Sequence, residues 1–346
     1  MTRNMPDAPA VVLAVLLSLL DRSRTRSGTD DASALRHTVE RAVHAEKTGL
    51  HRFWVAEHHG VPGIASGAPA VLAAAVASHT SRIRVGSGGV MLPNHQPLIV
   101  AEQFLMLESL FPGRIDLGVG RSLGFTEPVR AALRSAHADT FDGDIAELRS
   151  YLDGSASVTA RPVAAPPPVF VLATGAGLEV AARAGLPVVV GGPVLHKTDP
   201  LAMYRKSFRP SPANPEPYVI ISLDVTIAAD TADARRLALP EAWAMARSRR
   251  EGEFPALEPA SAIDDSQWTP RTRGRIEDSL ASTILGTAGE VRPRLEELIE
   301  RTGANEIMAS TSTYDRAELF DADAAFAQLA GLLGSTGVVG STGAVG

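Results

Sequence analysis

Short apolar runs alternate along the chain with longer stretches whose apolar positions recur at helical spacing. The apolar runs predict eight strands, at about 11–17, 53–55, 83–85, 115–119, 169–172, 187–190, 218–227 and 306–309. The stretches between them predict helices, at about 32–48, 69–78, 97–110, 142–152, 178–184, 231–249, 290–301 and 318–333. Strands that alternate with helices indicate βα units around a parallel sheet. Eight units predict a closed TIM-type (β/α)8 barrel.

Two connections are longer than ordinary βα loops, at 120–139 and 250–281. Connections of this length are commonly lids over an active site or disordered segments, and we expect insertion loops at the catalytic face. The remaining pattern predicts a single barrel domain at 11–333. It lies between a flexible N-terminus at 1–10 and a flexible tail at 334–346, in which Gly-Ser-Thr-Gly occurs twice.

The composition limits the available chemistry. The formal net charge is −6 and no basic run occurs, so we expect no nucleic acid partner. The chain has no cysteine, which excludes disulfides, thiolate metal sites and cysteine nucleophiles. Catalytic groups must therefore be histidines, carboxylates, arginines, backbone groups or a cofactor.

The apolar run at 11–20 raises the question of a membrane segment or a signal peptide. It is too short to span a bilayer. A signal peptide is disfavoured because Asp7 lies in front of the run and no clear cleavage site follows it. We expect a buried first strand, no membrane partner and a cytoplasmic location.

Four polar or glycine-rich segments follow predicted strands, and in a parallel barrel those strand ends form the catalytic face. The first segment contains Glu57, His58 and His59. A glutamate with two histidines could bind a metal ion. However, neighbouring residues of an extended strand point to opposite sides, so His58 and His59 are not expected to hold one ion together. The alternative is a structural role, with one histidine buried and the other exposed.

The second and third segments surround a possible ligand-binding surface. Glycines at 86, 88 and 89 indicate either the close approach of a flat ligand or a plain turn. In the segment 116–124, the glycine spacing does not match a dinucleotide fingerprint. Arg121 suits a phosphate or carboxylate, with a surface salt bridge as the alternative.

The fourth segment is the glycine-rich turn at 172–179. A turn of this kind leaves backbone N–H groups free at a helix N-terminus, where a phosphate binds readily. An ordinary βα turn is the alternative interpretation.

Together, the four segments resemble the bacterial-luciferase-like flavin monooxygenases. The resemblance is strongest at 54–124 and weaker at 18–21, 169–187 and 284–308. The motifs that carry it are Glu-His-His, Val-Gly-Ser-Gly-Gly-Val-Met-Leu-Pro-Asn-His, Ala-Glu-Gln-Phe and Phe-Pro-Gly-Arg-Ile-Asp-Leu-Gly-Val-Gly-Arg. It implies a single barrel that oxygenates a small organic molecule with reduced FMN and dioxygen.

The resemblance also implies roles for individual residues. His58 matches a candidate acid/base beside the flavin, and Gly88–Gly89 matches a dipeptide under the flavin ring that is joined by a cis bond in relatives. Arg121 matches an arginine near the flavin phosphate. The phosphate turn corresponds to Thr174, Gly175, Ala176, Gly177 and Leu178. Relatives typically have Ser and Tyr in this turn, so fewer side-chain donors remain and we expect modest FMN affinity.

The implied activity is that of a two-component monooxygenase. A separate NAD(P)H-dependent flavin reductase supplies reduced FMN, since no nicotinamide site is visible. The substrate is expected to be small and hydrophobic, and the subgroup suggests hydroxylation or epoxidation of a polyketide-type natural product in antibiotic biosynthesis. We expect a homodimer and no resident metal ion. The alternatives are an F420-dependent oxidoreductase of the same superfamily, a non-catalytic flavin-binding protein and, less favoured, a metal-dependent barrel hydrolase.

Overall fold

A closed barrel of parallel strands forms the centre of the molecule. The computed structural model describes residues 12–134 and 140–336. Its strands are β1 (Val12–Ala14), β2 (Leu16–Asp21), β3 (Arg52–Val55), β4 (Arg84–Ser87), β5 (Val90–Met91), β6 (Ile115–Gly120), β7 (Val169–Leu172), β8 (Val188–Gly191), β9 (Val219–Leu223), β10 (Val225–Ile227), β11 (Ile284–Gly286), β12 (Glu306–Ala309) and β13 (Gly334–Thr336). Strands β2, β3, β4, β6, β7, β8, β9 and β12 pair in parallel around the ring. The predicted (β/α)8 barrel is confirmed.

Helices surround this barrel. They are α1 (Asp31–Lys47), α2 (Pro69–His79), α3 (Pro97–Leu110), α4 (Glu127–Ala132), α5 (Phe141–Leu152), α6 (Ala176–Ala184), α7 (Asp199–Ser207), α8 (Thr231–Glu251), α9 (Pro270–Ser282), α10 (Ala288–Thr302) and α11 (Arg316–Ala327). Ordinary sequence signals set several of their ends. Helix α10 begins at a capping box of Thr287 and Glu290 and ends at Gly303, whose φ is 61°. Among the described helices, none is long and apolar enough to cross a bilayer.

The barrel strands are buried on both faces. Their outer faces pack against the helices in the main apolar core. Their inner faces form a second apolar cluster of Trp54, Phe170, Val189, Ile220 and Met308. Strands covered on both sides carry nearly continuous apolar runs, and this is why the hydrophobic pattern located them.

The barrel closes where β4 lies beside β6. A Cβ on Gly118 of β6 would overlap the carbonyl oxygen of Ser87, and a Cβ on Gly86 of β4 would lie 2.5 Å from the carbonyl oxygen of Asp116. The Ser87 hydroxyl donates to the carbonyl of Gly118 at 2.8 Å. Glycine therefore permits the close approach of these two strands.

The amino-terminal end of the barrel interior holds paired charges. Arg52 lies 2.8 Å from Asp116 and 2.8 Å from Glu306. Arg84 lies 2.6 Å from Asp116, and the Tyr218 hydroxyl donates to Glu306 at 2.9 Å. Each buried carboxylate thus faces at least one guanidinium, an arrangement in which removing one partner is costly.

An insertion separates the last two barrel strands, β9 and β12. It contains α8, an irregular segment at 252–269, α9 and β11, and β11 pairs with β10 outside the barrel. Helices α8 and α9 share a small apolar core of their own, formed by Ala238, Ala242, Ala246, Ile276 and Leu280. We expected 250–281 to be one long polar loop, and this was wrong for α9. The helix was missed because only Ile276 and Leu280 are buried in an arginine-rich segment.

The structure changes several other boundaries. The first barrel strand is Leu16–Asp21, later than the expected 11–17, because an unbroken apolar run does not mark where a strand begins. Strand β1 pairs instead with β13, which lies in the expected tail at 334–346. The connection at 120–139 contains α4, while residues 135–139 lie outside the described residues. Residues 1–11 and 337–346 do so as well.

Candidate active site

A cavity of about 570 Å³ opens at the carboxyl ends of the barrel strands, a size typical of small-molecule sites. The residues that line it are Glu57, His58, His59, Val61, Gly88, Gly89, Met91, Gly120, Arg121, Ser122, Gly124, Phe125, Leu172, Thr174 and Phe254. All four segments singled out in the sequence contribute to this wall. A smaller apolar cavity of about 200 Å³ adjoins it at Gly88, Leu172 and Thr174 and reaches the barrel interior.

His58 borders the cavity on the segment after β3. Its backbone N–H donates to the carbonyl of Ser66 at 2.9 Å. Strand β3 ends at Val55, so the two-residue alternation of a strand does not extend to residues 57–59. For this reason both His58 and His59 line the cavity, whereas alternation predicted opposite orientations.

The His58 ring is uncharged near neutral pH. Burial, followed by the positive charges of Arg22 and Arg24, lowers the pKa of His58 from 6.5 to about 4. Its Nδ1 atom is buried and has no hydrogen-bond partner in the part of the chain that the structure describes. A buried nitrogen without a partner is uncommon and indicates a position where a ligand or water binds.

A carboxylate on α8 holds the two arginines near His58. Arg24 Nε donates to Glu241 Oε2 at 2.9 Å, and Arg22 Nη1 lies 3.5 Å from Glu241 Oε1. Arg22 also donates to the carbonyl of Ser310 at 2.8 Å. The insertion therefore fixes the charges that act on His58.

Glu57 connects the segments after β3 and β4. Its Oε1 accepts from the Nε2 atoms of His59 and His95 at 2.6 and 2.7 Å, and its Oε2 accepts from the Met91 N–H at 2.8 Å. Burial raises the pKa of Glu57, but these hydrogen bonds outweigh burial and lower it to about 2. Glu57, His59 and His95 also place potential metal ligands within 4.8 Å of one another. Both Glu57 and His95 stand in the sequence motifs, but the motifs do not indicate this contact.

Gly88 and Gly89 line the cavity, and the peptide bond between them is cis, as the resemblance implied. A Cβ on Gly88 would overlap Leu20, and one on Gly89 would lie 2.9 Å from the carbonyl oxygen of Gly118. Both Cβ positions therefore point into the barrel wall. At Gly89 the neighbour is backbone, so barrel packing favours glycine strongly, whereas at Gly88 it is the end of the Leu20 side chain. The flat backbone surface at the cavity results from these two glycines.

Arg121 and Thr174 also line the cavity. Arg121 is exposed and, among the described residues, makes no salt bridge or side-chain hydrogen bond. In the first turn of α6, the N–H groups of Gly177 and Leu178 donate to the carbonyls of Thr174 and Gly175.

The remaining N–H groups of this turn are available to a ligand. Those of Gly175 and Ala176 donate to no carbonyl in the described chain. Leu178 is buried in the main core. Of the five residues assigned to the phosphate turn, only Thr174 lines this cavity, whereas Gly175 and Leu178 line a separate cavity of about 540 Å³ beside α6 and α7.

The irregular segment of the insertion covers part of the cavity. The Phe254 ring lies 5.0 Å from that of Phe125, with an angle of 56° between the ring planes. The carbonyl of Phe254 accepts from the Gly63 N–H at 2.7 Å, and the Leu257 N–H donates to Thr25 at 2.9 Å. Sequence reasoning missed Phe254 because it lies in a stretch that is polar overall.

Comparison with known proteins identifies the family. The model of the luciferase-like monooxygenase family matches residues 15–128 and 124–306. A luciferase-like monooxygenase of Escherichia coli is 35% identical over 331 residues, covering 92% of this chain and 98% of that protein. The chain belongs to the luciferase-like monooxygenase family. It is an enzyme of the flavin-dependent monooxygenase class, as the resemblance implied.

Solved structures agree with this assignment. The crystal structure of apo-MsnO8 has a TM-score of 0.80 and 31% identity, and the match covers 91% of this chain and 97% of that one. Two structures of 16% identity share the fold alone. They are the oxygenating constituent of 3,6-diketocamphane monooxygenase of Pseudomonas putida, with FMN, at a TM-score of 0.69, and an F420-dependent secondary alcohol dehydrogenase, at 0.64.

We predict that the Arg24→Gln substitution raises the pKa of His58 from about 4 towards 6.5, because it removes one of the two positive charges. The measurement is an NMR titration of the His58 imidazole, assigned by its loss in His58→Asn. Arg36→Gln, which changes an exposed arginine on α1, is the control and should leave the value unchanged. A His58 that titrates near 6.5 in the parent protein would contradict the electrostatic account.

Proposed function

We propose that the protein is the oxygenase of a two-component system that uses reduced FMN and dioxygen to oxygenate a small hydrophobic molecule. The observation that carries the proposal is that residues expected to act on the flavin line one cavity. That cavity is lined by His58, whose ring is uncharged and whose buried Nδ1 has no partner among the described residues, by the Gly88–Gly89 backbone and by the exposed Arg121.

The residues present fit FMN. Arg121 and Thr174 line the cavity, and Gly175 and Ala176 follow Thr174 at the N-terminus of α6. A phosphate bound there would take the Arg121 guanidinium, the Thr174 hydroxyl and the N–H groups of Gly175 and Ala176 as its donors. Gly177 and Leu178 shape this turn through their own hydrogen bonds. The flat backbone of Gly88 and Gly89 accommodates the ring. When bound, reduced FMN supplies the electrons that activate dioxygen.

The protein's own contribution is positioning, proton management and exclusion of water. His58 can accept or donate a proton at its free nitrogen, because its ring is neutral near pH 7. Phe125 and Phe254 cover one side of the cavity and, with Val61 and Met91, offer apolar contacts to a substrate. These contacts favour an uncharged molecule such as a polyketide-type natural product, to be hydroxylated or epoxidised.

Two protein partners follow from the proposal. A separate NAD(P)H-dependent reductase supplies reduced FMN, in a cytoplasmic setting. A second copy of the chain completes a homodimer through an exposed apolar stripe on α2 and α3. The stripe consists of Val71, Ile99, Met106 and Leu110, of which 46–72% is exposed. Exposed apolar patches of this kind commonly mark interfaces.

We predict that reduced FMN from a flavin reductase supports oxygenation of an aromatic polyketide, with one ¹⁸O atom from ¹⁸O₂ in each product molecule. His58→Ala should lower the product yield by about 10²-fold or more, as expected for loss of a general acid or base. Its affinity for FMN should stay near the parent value, since His58 lies outside the phosphate site. Mass spectrometry and calorimetry measure the two quantities.

The control for this experiment is His79→Ala, which changes an exposed histidine on α2. Turnover with F420 but not with FMN would establish the alternative oxidoreductase activity. FMN binding without any oxygenated product would favour a flavin-binding protein. Equal product yields from His58→Ala and the parent would make His58 structural.

We predict that Gly63→Ala increases hydrogen peroxide release at the expense of product. The new Cβ would overlap the Pro255 carbonyl oxygen and lie 2.5 Å from Arg24 Nη1, so the segment that carries Phe254 must move away. Water then enters the cavity. Gly67→Ala is a matched control in the same loop, because its Cβ has no neighbour closer than 3.5 Å. Unchanged peroxide yield in folded Gly63→Ala would show that this segment does not exclude water.

We predict that Met106→Glu converts the dimer to a monomer, because it places a charge within the apolar stripe. Light scattering measures the mass in solution. Met203→Glu introduces the same change at an exposed methionine of α7 and should leave the dimer intact. A monomeric parent protein would refute the homodimer.

A further inference from the structure

The Glu57 carboxylate is fully buried although the residue borders the cavity. Its three donors lie on both segments that build the site. His59 follows His58 directly, whereas Met91 and His95 follow the Gly88–Gly89 dipeptide. One charged group therefore ties the segment of the proposed acid/base to the segment of the proposed ring-binding surface.

The distances indicate protons rather than a metal ion between these groups. In a tetrahedral site with bonds of about 2.0–2.1 Å, ligand atoms lie about 3.3 Å apart. The Nε2 atoms of His59 and His95 are only 2.6 and 2.7 Å from Glu57 Oε1, which is hydrogen-bond spacing. The ionised state of Glu57 makes both bonds charge-assisted.

We infer that Glu57 is a positioning residue, which sets the separation between His58 and the Gly88–Gly89 surface through its bonds to His59, His95 and the Met91 N–H. The inference rests on the proposed function, because the separation matters only if His58 acts beside a flavin ring bound at Gly88 and Gly89. Glu57 acts through its neighbours and does not itself touch the reacting atoms.

The three histidines at this end of the barrel differ in whether they bond to Glu57. His59 and His95 each donate through Nε2, so each ring carries a proton on that nitrogen. His58 makes no bond to Glu57, and its Nδ1 is without a partner among the described residues. Glu57 thus binds the imidazoles of His59 and His95, and the His58 imidazole remains able to bond to a ligand.

The test compares two replacements of His95. His95→Gln keeps a donor near the Nε2 position and should retain parent affinity for oxidised FMN in calorimetry. His95→Leu has no donor, and its FMN affinity should fall by about tenfold, the scale of one hydrogen bond to a charged group. With reduced FMN and dioxygen, only His95→Leu should release additional hydrogen peroxide.

A second measurement does not depend on FMN. Nitrogen NMR of the parent protein should show His59 and His95 protonated at Nε2. In Glu57→Gln, the amide oxygen can satisfy the Met91 N–H only by turning its NH₂ group towards the histidines. Both rings should then move their proton to Nδ1. Absence of a proton from Nε2 of these rings in the parent protein would overturn the inference.

The remaining outcomes are also decisive. If His95→Leu keeps the FMN affinity and the peroxide yield of the parent protein, the role of Glu57 is purely structural, even if the variant melts at a lower temperature. A divalent cation found by elemental analysis in the purified parent and lost in His95→Gln would establish a metal site instead. If the parent protein oxygenates no substrate, the proposed function fails, and the FMN affinities and NMR spectra still decide the role of Glu57.

Discussion

The close contact between β4 and β6 is the constraint on which the site depends. The ring of strands closes there, and Gly86 and Gly118 allow it because a Cβ at either position would strike the neighbouring strand. The chain continues from this seam directly into Gly88 and Gly89, whose Cβ positions also face the barrel wall. The surface proposed for the flavin ring therefore begins directly after the place where β4 and β6 close the barrel. Glycine at these positions serves both the packing of the barrel and the proposed binding of the ring.

Much of the barrel could be predicted from the sequence, because strands covered on both faces must be apolar. The eight predicted strands correspond to the eight strands of the ring. Helix α9 could not be found in this way, since it buries only Ile276 and Leu280 against α8. The same limit applies to Phe254, whose position depends on hydrogen bonds to distant loops rather than on its own neighbours in the chain.

The candidate site shows a similar division. His58, Gly88, Gly89 and Arg121 could be singled out because they follow strands, and strand ends converge in a barrel. The contact between Glu57 and His95 could not, because it joins residues 38 positions apart through side-chain geometry. The lowering of the His58 pKa by Arg22 and Arg24 could not be predicted from the sequence either, because it depends on how closely the loops pack above the barrel.

The separate apolar core of α8 and α9 has a thermodynamic consequence. A unit with its own small core is expected to open at a lower free energy than the barrel, which can unfold only as a whole. Near the cavity it is attached to the rest of the chain by backbone hydrogen bonds at Gly63, Thr25 and Ser27 and by the ion pairs of Glu241 with Arg24 and Arg22. Amide protons of the insertion should therefore exchange with solvent earlier than those of the barrel strands. Local unfolding of this unit offers large ligands a path to the cavity without loss of the barrel.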